Sequence, residues 1–142
     1  MPALEWWMRR AMASPGMCAH RRLGLQSRHP RFPAGSVTVV HAFGVGSVVE
    51  KLRAAGGGYE IVHESTGLEL GVYVLVAPEP DRQQPHEDDE VYVVLEGSGV
   101  LEVEGASVPV QVGDAVFVEA GADHRFTAYE RLAVLVLFER GR

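Results

Sequence analysis

From Tyr59 to the C-terminus, short runs of valine, leucine, tyrosine and phenylalanine alternate with glycine, proline and aspartate turn residues, and few folds suit that rhythm. Strands are expected near residues 59–64, 68–77, 90–96, 99–104, 107–111, 114–119, 123–129 and 131–138. The separators are Thr66-Gly67, the Pro78–Pro85 loop, Gly97-Ser98-Gly99, Glu104-Gly105, Gly113-Asp114 and Gly121-Ala122. So many short strands with so little helix predict an all-β fold with a closed or double-sheet architecture of jelly-roll type. Pro109 has no amide to donate, so its strand belongs at an edge or a bulge.

Ahead of the strands, Val37–Val40 reads as a short strand, and one short helix is expected over about residues 48–55. Ser47-Val-Val-Glu50 has the form of a capping box, Val48, Val49, Leu52 and Ala55 recur at helical spacing, and Gly56-Gly57-Gly58 stops the run. Residues 1–33 hold scattered arginines, Trp6, Trp7 and four methionines without a sustained period, and are expected to be a disordered or mis-started tail. A secretory signal is not expected there, because no apolar core of about 7–15 residues follows the charges. A transit peptide and a basic nucleic-acid arm are the other readings of the same stretch.

Residues 1–40 carry six arginines against Glu5, a net +5, whereas the remainder carries 7 basic and 18 acidic residues, a net −11. An acidic folded region argues against binding a phosphate backbone. Nor does any apolar run approach the roughly 18 residues of a membrane span. The lone Cys18 has no disulfide partner, which suits a reducing, cytoplasmic setting. Two strands are apolar on both faces: Leu132–Phe138 has no polar residue, and Val91, Val93 and Leu95 alternate with Tyr92 and Val94. A wet outer face would be polar at every second place, so the helix must cover part of it and a second copy in a homodimer the rest.

The chemistry concentrates in Gln84-Pro-His86-Glu-Asp-Asp-Glu90 and in Gly121-Ala-Asp-His124. Residues an even number apart share a strand face, which groups Gln84 with His86, and Glu90 with Tyr92 and Val94. A carboxylate and an imidazole facing an apolar interior are costly unless a cation joins them. His86, Glu90 and His124 would form a two-His-one-carboxylate set for one divalent ion with positions left for a ligand. The bland alternative is a solvated acidic turn, and Glu87, Asp88 and Asp89 are assigned to solvent or loop capping. His41 and His63 are read as structural, and His20 and His29 have no assigned role. Tyr73, Tyr92 and Phe117 are candidate walls of a substrate pocket. Arg125 adjoins His124 but faces the opposite way, and is not counted.

These stretches resemble the motifs of the cupin superfamily over about residues 68–138. Its first motif runs Gly, five residues, His-x-His, three or four residues, Glu, six residues, Gly; here His86, Glu90 and Gly97 match the latter part without a gap. Its second runs Gly, five residues, Pro-x-Gly, two residues, His, three residues, Asn; here Gly113, Gly121 and His124 match in spacing. Three positions depart: Gln84 replaces the first histidine, Glu119 the proline and Ala128 the asparagine. The resemblance implies a cupin-type double-stranded β-helix with one short N-terminal helix. It also implies metal ligation by His86, Glu90 and His124, with Gln84 a weak fourth ligand or a donor just behind the ligands. Fe, Mn, Zn and Ni all suit such a set. Family activities include dioxygenases, isomerases and epimerases, and a metal-containing module that binds a small molecule without turnover is the competing expectation.

Overall fold

The computed structural model describes residues 39–140. The expected tail over 1–33 and residues 37 and 38 of the expected first strand lie outside that range, while Val39 and Val40 have no regular structure. Helix α1 (Val45–Ala54) is followed by β1 (Gly58–Glu64), β2 (Leu68–Val76), β3 (Glu90–Val103), β4 (Ala106–Gln111), β5 (Ala115–Val118), β6 (His124–Thr127) and β7 (Arg131–Glu139).

The helix begins a turn earlier than the capping-box pattern suggested. The amides of Ser47 and Val48 already bond to the Gly44 carbonyl, so Ser47 lies inside the first turn. Its hydroxyl donates back to Gly44 O at 2.7 Å, and Glu50 pairs with Arg53 instead of closing the box. The glycine stop is as expected: Gly57 N bonds to Leu52 O at 2.9 Å. Val49 and Leu52 are buried against Val72, Val74 and Ala133, so the helix does cover an apolar outer face of the sheet.

All the strand pairs are antiparallel, in the order β1-β2-β7-β3-β4, with β5 and β6 also paired to β3. The two strands expected at 90–96 and 99–104 are one strand. Its first part, Glu90–Val93, pairs with β5 and β7, and its last, Val100–Val103, with β4 and β6. Gly97-Ser98-Gly99 is therefore a corner at which β3 passes from one sheet to the other, and not a turn that ends it. The ladder with β7 is irregular between Val94 and Glu96, and Gly97 has φ +79°. A Cβ at Gly97 would run into the Arg131 carbonyl oxygen, so the neighbouring backbone needs glycine here. β4, with Pro109, pairs only with β3 among the described strands, as an edge strand should.

The inner faces meet in one core of Tyr73, Leu75, Tyr92, Val94, Leu101, Val110, Val118, Phe126, Leu132, Val134, Val136 and Phe138. Alternation along β7 shows how it arises: Leu132, Val134, Val136 and Phe138 point in, and Leu135 and Leu137 point out half-buried.

Gly97→Ala should lower unfolding free energy by about 2–4 kcal/mol, through steric conflict added to a left-handed backbone. Gly105→Ala, at φ +83° but with open space around it, should lose only about 1–2 kcal/mol. Urea unfolding of the two variants checks the difference; equal losses would rule out the Arg131 contact as the reason for Gly97.

Candidate metal centre

His86, Glu90 and His124 arrive from three different pieces of chain and meet in the interior. Glu90 is the first residue of β3 and His124 the first of β6, while His86 lies in the irregular loop before β3. That loop is pinned from several sides. Gly121 N bonds to His86 O at 2.7 Å, Ala120 N to Asp89 Oδ1 at 2.9 Å, and Glu139 N to Asp89 O at 3.0 Å. Asp89 thus caps a loop, as expected of it. The three residues are at most 3% exposed, and their ligand atoms lie within 4.8 Å of one another. Among the described residues this is the group of histidine, cysteine and carboxylate side chains able to hold a metal ion.

The orientation of each ring follows from its outer nitrogen. His86 Nδ1 lies 2.8 Å from Asp88 O, and His124 Nδ1 lies 2.8 Å from Ala122 O. A carbonyl can only accept, so both Nδ1 atoms carry hydrogen and both Nε2 atoms turn inward. There they stand 2.9 and 3.2 Å from Glu90 Oε2. Phe138 packs edge-on to His86, with ring centroids 4.8 Å apart, and shields the group from water.

Two inward imidazole nitrogens beside a carboxylate call for a shared positive charge, which either a proton or a metal ion can supply. Burial pushes the His124 ring down, but the bonds to Glu90 and to the Ala122 carbonyl outweigh it and leave the ring above its ordinary value. Burial likewise pushes the Glu90 carboxyl up, and the bonds from His124 and His86 overcome this and hold it below the ordinary carboxylate value. Even so, Glu90 Oε1 is buried with no hydrogen-bond partner. An orphaned carboxylate oxygen beside two inward imidazole nitrogens fits a divalent cation, which a proton replaces only in part.

Of the expected residues, the structure brings together His86, Glu90 and His124, and adds Tyr92, whose hydroxyl is 3.1 Å from His124 Nε2. Gln84 is not among them. Strand alternation grouped it with His86, but this stretch is irregular. Gln84 is exposed, and its amide donates to Arg82 O and Gln83 O. The buried glutamine is its neighbour Gln83, 5% exposed, which motif spacing gave no means of finding. Phe117 is turned outward by β5 and is 61% exposed, away from the cluster. Tyr73 is buried in the core, where its hydroxyl donates to Asp81 at 2.8 Å. Arg125 is exposed.

Asp81, also missed, accepts bonds from Tyr73 OH, Gln83 N, Gln83 Nε2 and Phe126 N. Burial still raises its carboxyl, in spite of these donors. Burial and the neighbouring Asp81 raise the Tyr73 phenol, and burial and Glu90 raise the Tyr92 phenol.

A family model described as Cupin domain matches residues 72–138, a span that includes the whole cluster. The chain belongs to the cupin superfamily. This cupin is 38% identical over 92 residues to an uncharacterized protein of Streptomyces coelicolor, covering 63% of this chain and 88% of that one. It is 38% identical over 58 residues to an oxalate-binding protein of Thermotoga maritima, covering 37% of this chain and 48% of that protein. Among solved structures, KdgF from Halomonas sp. matches with a TM-score of 0.55 at 25% identity, over 61% of this chain and 82% of that one. A Neisseria meningitidis protein matches with a TM-score of 0.60 at 16% identity, over 70% of this chain and 99% of its own, and speaks for the fold alone.

The raised His124 and lowered Glu90 each add a pH-dependent contribution to the stability of the metal-free cupin. A raised histidine stabilises fully below its unfolded value of 6.5, and that stability is lost as pH climbs through the folded value. A lowered carboxyl stabilises fully above its unfolded value of 4.5, and that stability is lost as pH falls through the folded value. The pair's contribution should therefore peak between 4.5 and 6.5. A divalent ion must displace the His124 proton, so the rise in Tm on adding Mn(II) should grow from about pH 5.5 to about pH 8. Calorimetric scans with and without Mn(II) check both; an increment independent of pH would contradict the assignment.

Proposed function

We propose that this cupin binds one divalent first-row transition ion (Fe, Mn, Zn or Ni) through His86 Nε2, His124 Nε2 and Glu90. On this reading, a small organic molecule chelates the ion through its oxygens, in an enzyme of the dioxygenase or isomerase type. The observation that carries the reading is the unpartnered, buried Glu90 Oε1 beside two inward imidazole nitrogens. When bound, such an ion supplies Lewis acidity toward a coordinated oxygen and, for a redox-active metal, a route for electrons to dioxygen. The chain itself aims the ligands, through the carbonyls of Asp88 and Ala122, and keeps bulk water away with Phe138. The cytoplasm suits such a protein, since its lone Cys18 needs no oxidising compartment.

A second reading, binding without turnover, draws support from two observations. All three ligands are at most 3% exposed, and one partial relative is an oxalate-binding protein. Protein purified without a histidine tag or added metal should carry one ion per chain by elemental analysis. His86→Ala and His124→Ala should each weaken binding of that ion by at least about 100-fold. Full occupancy in both variants would refute the metal assignment. Oxygen uptake and product assays with enediols, phenols and keto acids then separate the enzyme from the binding module. Turnover of any of these supports the first reading, and tight oxalate binding without turnover supports the second.

A homodimer is part of the same proposal. Outward-facing Val91, Val93 and Leu137 are half-buried and Phe117 is exposed, in register across β5, β3 and β7. An apolar strip of this kind meets its own copy about a twofold axis. Sedimentation should give a dimer for the native chain and a monomer for Phe117→Glu; a monomeric native chain would remove the dimer from the proposal.

A further inference from the structure

In the family pattern a further ligand stands where this chain has Gln84, and here that side chain is exposed and committed to its own loop. A different oxygen faces the cluster. Tyr92 follows Glu90 by two residues on the inner face of β3, and its side chain is 0% exposed. Its hydroxyl oxygen is 3.1 Å from His124 Nε2. Two ligands held at right angles about 2.1 Å from one ion stand about 3 Å apart. The spacings from Glu90 Oε2 to the two imidazole nitrogens, 2.9 and 3.2 Å, are of that size, and so is the spacing from Tyr92 to His124.

The Tyr92 hydroxyl also has an acceptor outside the cluster. It donates its hydrogen to Gln83 Oε1 at 2.7 Å. The Gln83 amide cannot turn over without loss, because its Nε2 donates to Asp81 Oδ2 at 2.7 Å. Asp81 is held in turn by Tyr73 OH, Gln83 N and Phe126 N. With its hydrogen drawn toward Gln83, the Tyr92 oxygen offers lone pairs to the cluster.

We propose that Tyr92 is a fourth protein ligand, a neutral phenol oxygen aimed at the ion by Gln83 and Asp81. This rests on the metal-binding reading above. It makes Gln83 and Asp81 positioning residues, acting only through Tyr92.

The experiment is Mn(II) titration of the native protein, Tyr92→Phe and Gln83→Ala, followed by calorimetry and by water-proton relaxation, which counts waters on the bound ion. Tyr92→Phe should bind one Mn(II) about 10-fold more weakly. Its bound waters should rise from about two to about three, as water fills the vacated position of a six-coordinate ion. Gln83→Ala should shift both readouts the same way and by less. Equal affinity and equal water count in the native protein and Tyr92→Phe would overturn the Tyr92 proposal and leave the metal site standing. Failure of the native protein to bind Mn(II) would overturn both. Should Tyr92→Phe not fold, crystals of the native protein with Mn(II) decide. An oxygen–metal distance near about 2.2 Å supports the proposal, and one beyond about 3 Å overturns it.

Discussion

A carboxylate buried between two imidazoles is the constraint around which this cupin is arranged. Glu90 is 1% exposed, and a lone ionised carboxyl in such a place costs several kcal/mol relative to water. The surroundings answer by raising the His124 ring above its ordinary value and with two Nε2 atoms turned toward Oε2. That arrangement holds only while both rings keep their orientation. The Asp88 and Ala122 carbonyls secure it with bonds that do not depend on any mobile side chain.

Bringing the three groups together is a problem of chain path. Val103, the last residue of β3, is the Cα partner of His124, while Glu90 is the first residue of the same strand. A straight strand over that interval would separate its ends by about 43 Å. Yet His124 Nε2 and Glu90 Oε2 are 3.2 Å apart. The corner at Gly97–Gly99 is therefore a requirement of the site as well as of the barrel. The clash awaiting any Cβ at Gly97 shows how closely β7 packs on the inside of that bend. The loop carrying His86 is fastened to the Ala120–Gly121 turn just ahead of His124, so two of the three ligands share one scaffold.

The parts of this that could be read from the chain are those tied to a period or a fixed spacing. Alternation placed Glu90, Tyr92 and Val94 on one inner face, and turn residues before His124 placed it at the start of a strand. The same rule failed for Gln84, because alternation has no force outside a strand and residues 80–86 are irregular. The sense of Phe117 was beyond reach for another reason: it depends on pairing Val91 with Phe117 across β3 and β5, a long-range register that no local pattern encodes. Gly97-Ser98-Gly99 looked like a turn because glycines mark turns and sheet corners alike; only the neighbours on both sides of β3 distinguish them. Asp81 and Gln83 were invisible for a simpler reason. In an irregular loop, burial is decided by what lies opposite, here the Phe126 amide and the hydroxyls of Tyr73 and Tyr92.

The choice of a neutral amide at Gln83 has an electrostatic consequence for the proposed metal-loaded state. Glu90 brings one negative charge to the ligand set, and neither imidazole nor a neutral phenol adds another. A divalent ion there keeps a net charge of about +1 in a low-dielectric interior, where uncompensated charge is felt strongly. Asp81 would cancel it if it reached the ion, but its oxygens are occupied by four donors, and Gln83 stands between it and Tyr92. The amide passes on orientation without passing on charge. In the proposed loaded site, that residual positive charge would favour an anionic oxygen ligand on the open positions over a neutral one.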